Sequence, residues 1–128
     1  MIKNHNVKEF WVGNYGEFDY MSAKAVREMK TIYKNIELIL VIPYLTKTIN
    51  EYKQVYYSNF DSILIADIPQ NTPHRYKILK CNRYIVNNSN FMICYVDHFW
   101  GGAAKTFKYA QSQKNIKIFN LSEQNQFS

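Results

Sequence analysis

The residues best suited to chemistry lie in one short segment, Asp97 to Lys105 (DHFWGGAAK). An apolar, strand-like stretch precedes it, and small residues after the glycine pair are suited to opening a helix. Glycines let a backbone approach a phosphate closely, and a helix N-terminus offers unpaired N–H groups at the positive end of its dipole. The pattern predicts a phosphate-binding turn, with a tight packing turn as the alternative. Its residues are Gly101, Gly102, Ala103, Ala104 and Lys105.

Two side chains beside the glycine pair add recognition chemistry. Trp100 could stack on a nucleotide base, and His98 could act as an acid or base or simply occupy the turn. The segment is neither the dinucleotide fingerprint Gly-x-Gly-x-x-Gly nor a P-loop, so neither NAD chemistry nor NTP hydrolysis follows from it. The histidines and cysteines show no metal-ligand spacing, so we expect neither a metal nor a cofactor.

A second turn, from Gly13 to Asp19, follows the first apolar stretch. We predict that Gly13, Asn14 and Tyr15 line the base or ribose of a ligand. Glu17 could accept hydrogen bonds from ribose hydroxyls, or serve as a nucleophile or a base. Asp19 is expected to cap the following helix, and Glu17 and Asp19 are the candidates for a catalytic carboxylate.

A third group lies on a helix expected to begin at Pro73. Arg75 is placed at its start, on the face that carries Leu79, Asn82 and Val86. An inward-facing arginine needs an anionic or hydrogen-bonding partner. We therefore expect Arg75 to bind an anionic group of the ligand, or alternatively a carboxylate, and Asn82 to contact the ligand or backbone groups.

Along the chain, stretches with the apolar periodicity of a strand alternate with stretches that have the periodicity of a helix. The predicted strands cover residues 9–13, 36–43, 62–66, 91–96 and 116–121. The predicted helices begin near Tyr20, near Pro73 and at Ala103. The tyrosine-rich connection from Tyr44 to Asp61 is expected to form a lid, a subunit contact or a short helix.

This alternation predicts an α/β protein with a Rossmann-like, doubly wound, mainly parallel five-stranded sheet and helices on both faces. Such sheets bind ligands beyond the carboxyl ends of their strands, which is where both turns are expected. A chain of 128 residues predicts a single domain over 1–128, with a core of about 8–121 and a polar tail at 122–128.

Composition excludes several classes of protein. A hydrophobic share of 47% with 11 Tyr, 8 Phe and 2 Trp excludes intrinsic disorder. No apolar run is long enough to span a bilayer and no signal-like segment opens the chain, so we expect a cytoplasmic protein without a membrane partner. Cys81 and Cys94 are expected to be buried thiols.

The net charge of +6 is unevenly distributed. Residues 68–128 hold eight Lys or Arg against two Asp or Glu, whereas residues 1–67 hold eight of each. Such an asymmetry favours an anionic partner, although a solvated basic surface would look the same.

Taken in order, these motifs resemble the small members of the SLOG superfamily, Rossmann-like proteins typified by LOG-type phosphoribohydrolases and DNA-processing protein A. The resemblance is carried by FWVGNxGxFD over residues 10–19, by Pro73 and Arg75 leading to Asn82, and by HxWGGAAK over residues 98–105. It covers residues of about 8 to 121.

The resemblance implies a Rossmann-like fold, a homo-oligomer and a nucleotide-derived ligand held by the Gly-Gly turn, such as an ADP-ribose-type or cyclic nucleotide messenger. Enzymatic members cleave the N-glycosidic bond of nucleoside monophosphates and carry Pro-Gly-Gly-x-Gly-Thr-x-x-Glu. Here Trp100 stands at the proline and Ala104 at the last glycine, and residues 105–108 read KTFK. The catalytic glutamate of that motif is therefore missing.

Three functions follow from these observations. The favoured one is sensing or sequestration of a nucleotide-derived ligand, as in the conflict-system members of the superfamily. The second is a phosphoribohydrolase in which Glu17 or Asp19 replaces the missing carboxylate. The third is single-stranded nucleic-acid binding through the basic half, with Tyr15 and Trp100 stacking on bases.

Overall fold

The computed structural model describes residues 7–14 and 16–122. The described residues form two compact units, which divide between Ala66 and Asp67. The strands are β1 Glu9–Val12, β2 Glu37–Ile42, β3 Ser62–Ile65, β4 Phe91–Cys94 and β5 Lys117–Asn120. The helices are α1 Glu17–Met29, α2 Lys47–Glu51, α3 Lys53–Asn59, α4 Lys77–Asn87 and α5 Gly101–Gln111, with a 3-10 turn at His74–Tyr76.

The first unit contains a parallel three-stranded sheet in the order β1-β2-β3. The central strand β2 is buried from Leu38 to Ile42, as its continuous aliphatic run predicts for a strand covered on both faces. Phe10 of β1 lies opposite Leu38, and Ile63 of β3 lies opposite Leu40. The side chains of β2 therefore form the centre of this unit's apolar core.

Helix α1 supplies the next layer of the same core. It follows Gly16 and carries Glu17 and Asp19 in its first turn, where carboxylates interact favourably with the positive end of the helix dipole. Its buried residues are Ala23 and Val26, which belong to one cluster with the aliphatic side chains of β2. Helix α1 therefore directs small residues at the sheet.

The second unit pairs β4 and β5 in parallel, with Cys94 opposite Asn120. Its core cluster is built from smaller side chains, with Cys94, Val96 and Ala104 at its centre. Helix α4 contacts helix α5, because the guanidinium of Arg83 lies 5.0 Å from the ring centroid of Tyr109. These contacts fix the helix that begins at the glycine pair.

The mixed α/β class and the parallel pairing of strands are confirmed. The single five-stranded sheet is wrong, because the hydrogen-bonded strands form a three-stranded and a two-stranded sheet. Apolar periodicity identifies a strand, but it does not specify which strand edges exchange hydrogen bonds. The two sheets therefore could not be separated by pattern alone.

The helix boundaries also differ from the prediction. Helix α1 begins at Glu17 rather than near Tyr20 and ends at Met29, so Ile32 lies beyond it and is 74% exposed. Helix α5 begins at Gly101 rather than Ala103. Of the alternatives for the connection from residue 44 to 61, the structure has short helices, α2 and α3.

Three further features concern the class of protein. Cys81 and Cys94 are buried thiols, as expected. In the described residues, no group of three or more His, Cys, Asp or Glu side chains is placed to hold a metal ion. Over the same part of the chain, no helix combines the length and the apolar character that crossing a bilayer requires.

Candidate functional site

The glycine pair of the second unit begins a helix rather than preceding one. Gly101 is the first residue of α5 and has φ +88°, a left-handed value that disfavours residues with a Cβ. A Cβ added at Gly102 would meet no atom within 4 Å, so the space beside this residue is open. A ligand atom can therefore approach the backbone closely at the start of the helix.

The residue before this helix cannot satisfy its first N–H groups. Trp100 occupies the N-cap position, and an indole can donate a hydrogen bond but not accept one. At α2, by contrast, the Thr46 hydroxyl accepts a hydrogen bond from the Ile49 N–H at 3.1 Å. The first turn of α5 also contains no acidic residue. Its N–H groups are thus available to an external acceptor.

Three adjacent aromatic side chains stand beside the helix start. The rings of His98 and Trp100 are 4.7 Å apart, and Phe99 meets Trp100 edge-on at 5.3 Å. Phe99 is 91% exposed and Trp100 is 64% exposed. His98 Nδ1 lies 2.9 Å from Oδ1 of Asp97, which orients the imidazole. Sequence reasoning selected His98 and Trp100 but missed Phe99, whose exposure no local pattern reveals.

The chain leading into this segment is held by a buried polar cluster that sequence reasoning also missed. The side chain of Asn120 accepts a hydrogen bond from the Val96 N–H at 3.0 Å and donates one to the Val96 carbonyl at 2.9 Å. The Ser122 hydroxyl donates to the same carbonyl at 2.7 Å. Asn120 thereby continues the β4–β5 pairing with its side chain and fixes the residue that precedes Asp97.

The remaining residues of the predicted phosphate turn differ in role. Ala104 is buried in the core cluster, and Ala103 is exposed. Lys105 is exposed and stands at the fifth position of α5, so it begins the second turn rather than lying in the first. Thr106 donates a hydrogen bond to the carbonyl of Gly102 at 3.0 Å, which ties the two turns together.

The prediction for Arg75 is wrong in its geometry. Helix α4 begins at Lys77, and Arg75 lies in the preceding 3-10 turn, where it is exposed and its guanidinium sits 4.9 Å from the ring centroid of Tyr76. Within the described residues, no hydrogen bond, ion pair or ring contact joins Arg75 to the glycine turn. Asn82 is on α4 and is half-buried beside buried Cys81.

The first predicted turn is held by Asp19. Its carboxylate accepts a hydrogen bond from the Gly13 N–H at 3.3 Å, and a Cβ on Gly13 would lie 3.2 Å from Oδ2 of Asp19. Gly16, not Asp19, is the N-cap residue of α1, so the capping prediction for Asp19 is wrong. Asn14 and Glu17 are exposed, and Tyr15 lies outside the described residues.

These residues border a cavity of about 390 Å³ within the first unit. Its polar or glycine lining is Gly13, Asn14, Gly16, Asp19, Arg27 and Asn59. Its apolar and aromatic lining is Tyr20, Ala23, Val55, Tyr56 and Phe60. Sequence reasoning identified the glycine end of this cavity and missed the helix residues that complete it.

Comparisons with protein-family models, with curated proteins and with solved structures each gave no significant match. We therefore infer a function from the residues and the geometry of the two turns.

Proposed function

We propose that this chain is a SLOG-type, Rossmann-like module that binds a nucleotide-derived ligand in the cytoplasm, to sense or sequester it, and that it acts as a homo-oligomer. The observation that carries the proposal is the start of α5, where uncapped N–H groups adjoin an exposed aromatic cluster. A phosphate suits the first feature and a base suits the second. Parallel strands joined by helices are what a Rossmann-like module requires.

Each side chain has a distinct role in this proposal. The backbone of Gly101 and Gly102 holds a phosphate at the helix N-terminus, and Lys105 adds a positive charge from the next turn. Trp100 and Phe99 stack on the base. The missing glutamate of the hydrolase motif favours binding without turnover.

The test is a thermal-shift screen of the purified protein against nucleoside monophosphates, ADP-ribose, NAD and cyclic nucleotides. A ligand present at about 1,000 times its Kd stabilises a protein by about 4 kcal/mol, which gives a clear shift. We expect Trp100→Ala and Lys105→Ala to reduce the shift. Lys108→Ala, an exposed lysine on the same helix, is the matched control and should leave it unchanged.

Three results would overturn the proposal. The first is no shift with any compound, and the second is an equal loss in Lys108→Ala and Lys105→Ala, which would indicate a general effect of charge. The third is release of free base during incubation, which would favour the phosphoribohydrolase with Glu17 or Asp19 as its carboxylate. Chromatography of each incubated compound detects that release.

A second candidate, single-stranded nucleic-acid binding, is favoured by one specific observation. The second unit combines its excess of basic residues with the 91% exposure of Phe99. Oligonucleotide binding of this kind weakens steeply as salt concentration rises. Binding of an oligonucleotide at low salt, in the absence of any mononucleotide effect, would support this candidate over the first.

A further inference from the structure

The cavity of the first unit is a groove between two helices, α1 and α3, that is closed at one end by the turn after β1. Ligand pockets in proteins commonly have volumes of about 300–1,000 Å³, and the groove falls within that range. The described residues that line it all lie between 13 and 60, which places them in the first unit.

The two ends of the groove carry opposite charges. Asp19 and Arg27 both line it and are eight residues apart on α1, which corresponds to about 12 Å along the helix axis. Asp19 stands at the turn end, next to Gly13. Arg27 stands at the far end, where its Nη1 donates a hydrogen bond to the carbonyl of Asn59 at 3.2 Å. A ligand of that length can meet an acceptor at one end and a cation at the other.

Arg27 retains the capacity to bind an anion. A guanidinium has five N–H donors, and the bond to Asn59 uses one of them. Its carbon lies 5.7 Å from the ring centroid of Phe60, which holds the group in place from one side. Within the described residues, no carboxylate forms an ion pair with Arg27. The charge is thus positioned but not neutralised.

Between the two ends, the groove is suited to a flat ring. Tyr20, Tyr56 and Phe60 supply aromatic surface, and Tyr20 is 66% exposed. Ala23, which is 3% exposed, contributes a short side chain to the lining. Aromatic side chains stack favourably on planar ligands, with rings offset or edge to face.

We propose that this groove binds a small molecule in which a planar ring is joined to an anionic group. The anion lies at Arg27, the ring lies among the aromatic side chains, and hydrogen-bond donors of the ligand face Asp19 and Asn14. The inference goes beyond the glycine-turn proposal, because it adds a second site with its own cation.

The test uses the full chain labelled with ¹⁵N and three probes: adenosine 5′-monophosphate, adenosine and inorganic phosphate. The first carries ring and anion, the second only the ring and the third only the anion. Amide resonances of Gly13, Asn14 and Ala23 report on the groove, and those of residues 97–105 report on the glycine turn. We expect the groove amides to shift with the monophosphate at much lower concentration than with either partial probe.

Two pairs of variants locate the binding. Arg27→Met should lower the affinity of the groove for the monophosphate about tenfold or more, because hydrogen bonds to charged groups contribute that much to binding. Lys24→Met removes the same charge from an exposed position on the same helix and should have no such effect. Val55→Trp, at an exposed lining residue, should obstruct the groove, whereas Tyr57→Trp on the same helix should not.

The outcomes separate this inference from the proposed function. Shifts confined to residues 97–105 would overturn the proposal that the groove binds the ligand and would agree with binding at the glycine turn. Shifts confined to the groove amides and abolished by Val55→Trp would support the groove and count against the turn. Equal losses in Arg27→Met and Lys24→Met, equal binding of phosphate alone, or no shift of the groove amides would overturn the groove.

Discussion

Both units of the chain consist of parallel strands joined to helices, but they differ in the composition of their apolar cores and in their net charge. The first unit buries a continuous aliphatic strand, β2, between two neighbours. The second has two paired strands and a core centred on Cys94, Val96 and Ala104. The aliphatic core is the larger source of hydrophobic stabilisation, because that stabilisation grows with the apolar area removed from water.

The charges follow the same division. Residues 1–66 hold eight basic and seven acidic residues, whereas residues 67–128 hold eight basic and three acidic residues. In the first unit Lys30 pairs with Asp61 and Lys47 lies 3.9 Å from Glu51. The second unit has an excess of positive charge and also carries the exposed rings of Phe99 and Trp100, a combination suited to an anionic ligand. The first unit is therefore organised around a buried aliphatic strand, whereas the second has a smaller apolar core and carries the excess of positive charge.

The substitution expected to destabilise the protein most lies in the aliphatic core of the first unit. Leu40 is fully buried at the centre of β2, so Leu40→Ala should destabilise the protein by about 2–5 kcal/mol through lost burial and the cavity that remains. The two tryptophans allow each unit to be followed, since Trp11 lies in the first and Trp100 in the second. Urea denaturation followed by fluorescence of single-tryptophan variants measures the change at each reporter.

The control for this prediction is Ile32→Ala, because Ile32 is 74% exposed and its truncation should change the free energy of unfolding by less than about 0.5 kcal/mol. If Leu40→Ala were as mild as Ile32→Ala, the view that β2 dominates the stability of the first unit would be wrong.

The next largest loss of stability is expected from a substitution in the buried polar cluster of the second unit. Asn120→Ala removes the acceptor of the buried Val96 N–H and one of the two donors to the Val96 carbonyl, which keeps the Ser122 hydroxyl. Leaving a buried backbone group without a partner costs about 1–3 kcal/mol, so we expect a loss of about that size. It should also weaken any ligand held at residues 97–105, because Val96 immediately precedes that segment.

Asn115→Ala, at an exposed asparagine before β5, is the matched control and should be nearly neutral. Calorimetric unfolding measures the stability change, and the affinity for a ligand found in the thermal-shift screen measures the change in binding. A stability loss without any change in ligand affinity would show that the cluster supports the core but does not position the turn.

The sequence predicted β2 because its cause is local: a continuous aliphatic run is stable only when buried on both faces. It placed the glycine pair after a strand but put the start of the helix at Ala103 instead of Gly101, and phosphate binding there stays a prediction. It could not predict Asn120, because an asparagine at the end of a strand looks like any polar surface residue. It did not single out Arg27, which lines the groove, because a charged residue eight positions after Asp19 is typical of a solvated helix face.

Arg75 shows a different kind of failure. The helix was expected to run through this residue, which would have turned its side chain inward with that of Val86. The 3-10 turn at His74–Tyr76 changes the rotation per residue before α4 begins, so the two positions no longer share a face. Periodicity gives the phase of a helix only within that helix.

The smallest expected effect concerns the ion pair of the first unit and depends on pH. Asp61 accepts a hydrogen bond from the Leu38 N–H at 2.7 Å and pairs with Lys30 at the end of α1. Burial by itself would raise the pKa of the Asp61 carboxyl, but the hydrogen bond from Lys30, the bond from Leu38 and the charge of Lys30 together lower that pKa below its usual value.

A carboxyl whose pKa is lowered by folding stabilises the protein above its unfolded pKa, and this stabilisation is lost as pH falls towards and through the folded value. Both side chains are about one-third exposed, so screening by solvent limits the effect to about 1 kcal/mol or less. We expect the free energy of unfolding to be smaller at acidic pH than at neutral pH. Asp61→Asn should remove part of this pH dependence. Glu51→Gln, which breaks the more exposed pair with Lys47, should change the profile less. Equal changes in the two variants would show that the Asp61–Lys30 pair contributes no more to stability than the exposed Glu51–Lys47 pair. The aliphatic core would then be the feature that distinguishes the stability of the first unit from that of the second.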